Sequence, residues 1–271
     1  MKEYEKIMDS GSELILSVMQ YHLLLISIDL NEQLMNSWKS LNEDEKYLTT
    51  DNVAVNSGLQ KNMAMDMMMA FSEITNKSNE DAINEVGLNI VSLAERPDLN
   101  PQTLYSLPSS QVKRIKHQAE LFTEAMTLDL QQATFNIIEN NYMLTQKEIS
   151  AAIDIGVNDF LEGLSSGATS FLQSAGLVND SRSDVFTSDE GKKNIQAFQF
   201  YNPDPVTDLC SELNGSIFTA DDPNYGLYIC PLHYNCKSTY LPIRGEVNED
   251  EISGLPELSG LSEKAQSQKQ F

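Results

Sequence analysis

Between residues 109 and 143, apolar side chains recur at Val112, Ile115, Ala119, Phe122, Met126, Leu130, Ala133 and Ile137, in steps of three and four. A strand would place them two apart, so this period predicts an α-helix with one apolar stripe. Ser109 or Ser110 can cap its start. Unbroken to Met143, the helix would reach roughly 50 Å at about 1.5 Å per residue. A stripe so narrow on a helix so long requires another helix alongside, from this chain or from a neighbouring subunit. That requirement sets the expected fold class as mainly α.

The rest of the first two thirds agrees with it. Residues 14–28, LILSVMQYHLLLISI, are the only candidate for a membrane span. They fall short of the roughly 20 apolar residues a bilayer needs, and Gln20 and His22 interrupt them. The preceding Glu3, Glu5 and Asp9 against two lysines give the wrong charge for a signal peptide. A buried core helix is therefore expected, with His22 a hydrogen-bonded core histidine and no membrane span. The run Met63-Ala-Met-Asp-Met-Met-Met69 is either one buried helix face or an interface that adapts to its neighbours, because thioethers fill irregular gaps. Pro97 and Asn100-Pro101 stop that helical pattern and predict a loop over 97–108. Thr145-Gln-Lys-Glu148 is a capping box, so a further helix begins near Gln146 and carries Ile149, Ile153, Val157, Phe160 and Leu164. Residues 179–194, rich in Asn, Asp and Ser, read as a linker.

Every cysteine of the chain falls in one short stretch, residues 210–236, as Cys210, Cys230 and Cys236, with His233 among them. The spacing C-x19-C-x2-H-x2-C offers three thiolates and an imidazole, the ligand set of a closed structural zinc site. Pro231 and Asn235 favour a tight turn that would let the last three converge. Two plainer readings stand beside zinc. Two of the cysteines could pair as a disulfide, or all three could be buried thiols with His233 hydrogen-bonded to backbone. Around this stretch, residues 197–201 alternate like a strand, and 238–243 could form another. Two short strands bury too little to hold themselves together, which would give metal binding or docking onto the helices a structural purpose.

The run Asp204-Pro-Val-Thr207-Asp-Leu-Cys210-Ser-Glu-Leu213-Asn-Gly215, then Pro231-Leu232-His233-Tyr-Asn235-Cys236-Lys237-Ser238 and the ending Leu241-Pro242-Ile243, resembles the C-terminal module of phage head morphogenesis proteins, the Mu F-like minor head proteins. The likeness spans residues 198–243. It departs at Cys230, where that pattern has a proline, and at Lys237, where it has arginine; lysine keeps the charge and loses the guanidinium fork. What the resemblance implies is a virion structural or assembly protein of a tailed bacteriophage. Such a protein would be made in the host cytoplasm and carried in the phage head, where it binds portal or capsid proteins and acts in head assembly, DNA packaging or delivery.

Composition bears on partners. Eighteen basic against forty acidic residues give a net charge of −22, which repels phosphate, so broad nucleic-acid binding is not expected. The main basic patch is Lys113, Arg114, Lys116 and His117. The chain has no Walker loop, HExxH, GxSxG or dinucleotide fingerprint, and three cysteines with a histidine would leave no open position for water, so no enzyme is expected. The competing reading is a metal-dependent nuclease built on Asp204, Asp208 and Glu212, or a toxin-like transferase, carried by a phage. The expected organisation is thus a helical region 1–96, a loop 97–108, long helices 109–178, a linker 179–194, a small α+β Cys/His module 195–245, and a tail 246–271 that is mobile or orders only on a partner. Homo-oligomers are compatible with the long stripe.

Overall fold

The computed structural model describes residues 2–85, 87, 107–233, 236–244 and 246–270. The loop expected at 97–108 lies almost wholly outside these residues. The chain is mainly α, with a small antiparallel sheet near the carboxyl end. Four long helices, α1 (Lys2–Ser40), α2 (Ser57–Glu85), α3 (Ser109–Asn141) and α4 (Gln146–Ala175), precede short α5 (Leu177–Phe186) and α6 (Asp189–Asn194). Strand β1 (Ala197–Tyr201), helix α7 (Asp208–Leu213), strands β2 (Ile217–Phe218) and β3 (Thr239–Ile243), and helix α8 (Glu263–Gln268) follow. Contacts divide the chain into two compact units: Glu13–Ala70 with Ile115–Ala168, and Met1–Ser12 with Phe71–Arg114 and Thr169–Phe271.

The unit formed by Glu13–Ala70 and Ile115–Ala168 is a ring of four helical segments. His22 on α1 bonds Asp66 on α2 at 2.7 Å, and Gln60 on α2 bonds Thr127 on α3 at 2.9 Å. Gly156 on α4 lies so close to Ile137 on α3 that an added Cβ would meet its Cδ1 at 2.3 Å. Asn31 on α1 closes the ring through Ser150 and Asp154 on α4. Ile15, Met19, Leu23, Ile26, Leu30, Leu34 and Trp38 form the buried line of α1, so the apolar stretch at 14–28 carries a core face. By length and composition alone α1 could also cross a membrane, and less than half of its most apolar window is buried. In α3 the predicted stripe holds at Ile115, Ala119, Phe122 and Leu130, after which Thr134 and Ile138 take the buried centre. The drift follows from a 3.6-residue turn, and Thr134 is tolerated there because its hydroxyl donates to the Leu130 carbonyl at 2.8 Å.

In the other unit, β1 is the centre of a three-stranded sheet in the order β2-β1-β3, with Phe198 opposite Phe218 and Phe200 opposite Tyr240. The sheet is too small to stand alone. Its core therefore continues into Ala82 and Ile83 of α2, Val185 and Phe186 of α5, and Leu255, Leu261 and Ala265 of the final segment. Here the sequence reading needs two corrections. Residues 179–194 are not a linker but α5 and α6, with Asn179, Ser181, Arg182 and Ser183 buried. Nor is 246–271 a loose tail. Its helix α8 packs on α7, Gln268 accepts from the Leu209 amide and donates to Asp208, and the Gln270 amide reaches the Leu232 carbonyl at 2.8 Å.

The basic patch is partly used internally. Arg114 pairs with Asp180 at 2.7 Å and with Asp184 at 3.5 Å, while Lys116 faces Glu120. Burial pushes the Asp180 carboxyl up to about 6 although Arg114 pulls the other way. The folded chain thus holds this proton more tightly than the unfolded chain. The stabilisation that results is complete below about pH 4 and is lost as pH rises through about 6. Comparing urea midpoints of wild type and Asp180→Asn should therefore show the wild type losing about 2–3 kcal/mol relative to the variant between pH 4 and 7. A constant difference across that range would contradict the assignment.

Candidate metal centre

The centre is assembled from local chain chemistry. Thr207 stands in extended conformation before α7, and its hydroxyl accepts from the Cys210 amide at 3.2 Å, an N-cap that fixes Cys210 in the first turn. Leu209 and Leu213 of the same turn are fully buried, so α7 is pressed into the core with Cys210 facing inward. After Leu213 the chain reverses at Gly215, whose φ of +91° favours glycine, and enters β2. On the other side, the Cys236 amide donates to the His233 carbonyl at 3.1 Å, which ties those two residues together. The loop packs under Gly176, where an added Cβ would stand 2.8 Å from Pro231.

These turns bring Cys210, His233 and Cys236 together, all buried, with their ligand atoms within 4.8 Å of one another. Cys210 Sγ lies 3.0 Å from His233 Nε2 and 3.9 Å from Cys236 Sγ. Two thiolates on a tetrahedral zinc ion stand about 3.8 Å apart, given Zn–S bonds of about 2.3 Å, so the sulfur pair already has the right separation. The imidazole would move outward by about half an ångström to ligate. The donor set of two sulfurs and a nitrogen could hold a metal ion and is compatible with zinc. Cys230, the remaining sequence candidate, is buried beside Cys236 and falls outside the group of three. Its thiol points towards the Tyr228 carbonyl at 3.8 Å.

A polar shell orients the ligands, as metal sites require. Ser238 donates to Cys210 Sγ at 3.2 Å and accepts from Asn202 at 2.9 Å, while Asn179 donates to the Ser238 carbonyl at 3.1 Å. Thr207 Oγ1 lies 3.1 Å from His233 Nε2. The thiols share charge unequally. Hydrogen bonds from Cys210 and then Cys230 hold Cys236 far below the ordinary thiol range. Cys210 is driven up by its bond to Cys236 and then by burial; Cys230 is driven up by burial first.

The three cysteines remain unbridged, so the disulfide expected as one reading is not formed. The carboxylates proposed for a nuclease are employed elsewhere. Asp208 receives Lys264 at 2.7 Å, which is the first cause of its lowered pKa, and Glu212 receives the Ser262 amide at 3.0 Å. Asp204 is exposed on the loop before α7. Among the described residues, Cys210, His233 and Cys236 are the one set of His, Cys, Asp or Glu side chains that converges on a common point. Sequence reasoning missed Asn179, Asn202 and Thr207 as its supports. Only the threonine three residues before Cys210, a capping spacing, signalled any of them. No family model, no curated protein and no solved structure matches the chain.

Proposed function

We propose that this chain is a minor head protein of a tailed bacteriophage, bound to portal or inner capsid and acting in head assembly, DNA packaging or delivery. In this reading its carboxyl-terminal module is a zinc-stapled docking piece with no turnover. One observation carries it. Six of the positions through which the sequence resembles the Mu F-like module, Cys210, Leu213, Leu232, His233, Cys236 and Ser238, are buried in one small region, whereas Asp204, Gly215 and Lys237 are exposed. Thr207 caps, Cys210 and Cys236 face each other, Leu213 and Leu232 fill the core, and Gly215 turns the chain. His233 touches both Thr207 and Cys210, and Ser238 donates to Cys210. Zinc belongs to the reading as a structural ion on Cys210, His233 and Cys236, with Cys230 near enough to Cys236 to supply the fourth ligand after a side-chain shift.

The −22 charge suits contact with basic portal or shell surfaces better than contact with DNA. Quantitative mass spectrometry of purified phage particles and their assembly intermediates tests the proposal. The expected result is a few to tens of copies per particle, at a fixed ratio to the portal subunit. Absence from particles and from every intermediate would overturn it.

A further inference from the structure

We propose that the groove between α2 and α3 is a docking surface for a cationic amphipathic helix of a partner protein, independently of the phage reading. The methionine run is split by the fold. Met63 and Met67 are fully buried, whereas Met65 and Met69 are 66% and 61% exposed. Between the two helices runs a groove of about 340 Å³, walled by Met65, Met68, Ala64 and Thr123 and edged by Glu120 and Glu124. Thr123 supplies a separate mark. It is 1% exposed, and its Oγ1 has no hydrogen-bond partner in the folded chain, a costly condition for a buried hydroxyl.

Charge selects the occupant. The segments 13–70 and 115–168 carry sixteen acidic and five basic residues. At the groove itself Lys61 and Lys116 offset Glu120 and Glu124, so the attraction comes from the excess of carboxylates over these segments as a whole. A second copy, itself at −22, would be repelled, whereas a partner helix with lysine or arginine flanking its leucines gains both attraction and apolar contact. Flexible thioethers accept such helices at varying angles, and anchors at i, i+3, i+4 and i+7 match the rows of a helix pair.

The full chain, labelled with ¹³C at the methionine methyls, is titrated with a synthetic leucine–lysine peptide of about 18 residues, five turns of amphipathic helix. The Met65, Met68 and Met69 signals should shift while those of buried Met8 and Met19 stay. Met65→Glu should weaken binding at least about tenfold without changing the melting temperature. Glu139→Lys with Asp159→Lys, off the groove, should retain it within about threefold. Four results would overturn the proposal. The Met65→Glu variant could bind like wild type, or a leucine–glutamate peptide could shift the same methyls equally. The shifts could instead follow protein concentration alone, indicating a second copy, or appear only with phosphatidylcholine vesicles, indicating lipid.

Discussion

Withdrawing zinc from the loaded chain with a chelator is expected to lower its melting temperature by on the order of 10 °C. Free zinc at about a thousand times its dissociation constant adds about 4 kcal/mol to the folded state, and in a chain of this size each kcal/mol moves the midpoint by roughly 2–4 °C. Cys210→Ala should produce the same loss and abolish the zinc response, because Cys210 contacts both other ligands. Lys237→Ala, on an exposed residue next to Cys236, should leave the response intact. The loss should be concentrated where Cys210 of α7 meets His233 and Cys236, so protease cleavage near them should quicken first. Calorimetry with and without chelator checks this, and a melting temperature indifferent to zinc in the wild type would contradict it.

Arg182→Leu is expected to be the most damaging single substitution outside the knot. Arg182 is 2% exposed on α5, and its two Nη groups bind Asp81 and Glu85 on α2. Tyr4 and Phe186 present their rings to the same guanidinium at 5.5 and 5.1 Å. Leucine would leave two carboxylates facing each other at a mostly buried place without their counter-charge, a loss of about 3–5 kcal/mol. Asp81 and Glu85 keep some solvent contact, which puts the expected value at the lower end. The triple change Arg182→Leu, Asp81→Leu and Glu85→Leu should recover most of it, because no charge is then stranded. Equilibrium urea denaturation measures both. If the single variant unfolds like wild type, the clamp contributes nothing.

Arg182 also shows where the sequence stopped being legible. The long helices could be read because their stabilising pattern is apolar and periodic, and Thr145 with Glu148 announced the start of α4 by a capping box that the structure contains. Residues 197–201, read as alternating, became β1, and the second expected strand, 238–243, became β3 over Thr239–Ile243. The stretch NDSRSD of α5 satisfies itself by other means, with Ser181 bonding the Val178 carbonyl, Ser183 bonding Tyr225, Asn179 bonding Ser238 and Arg182 its carboxylates. Hydropathy counts such residues as solvent-facing, so a buried polar network reads as a loop. The same holds for 246–270, where a few apolar anchors, Leu255, Leu261 and Ala265, hold an otherwise polar segment onto the module. At the candidate metal centre, the side chains that could hold a metal stood out in the sequence because every cysteine falls within residues 210–236. Which three of the four side chains would meet depended on a six-residue helix whose only sequence mark was its threonine cap.

X-ray absorption at the zinc edge of the zinc-loaded chain distinguishes a metal-bound Cys/His knot from buried free thiols. The account predicts one zinc per chain in a shell of two or three sulfurs at about 2.3 Å and one imidazole nitrogen at about 2.0 Å, with sulfur scattering reduced in Cys210→Ala. A shell of oxygen and nitrogen alone, or a chain that retains no zinc after purification in its presence, would contradict it.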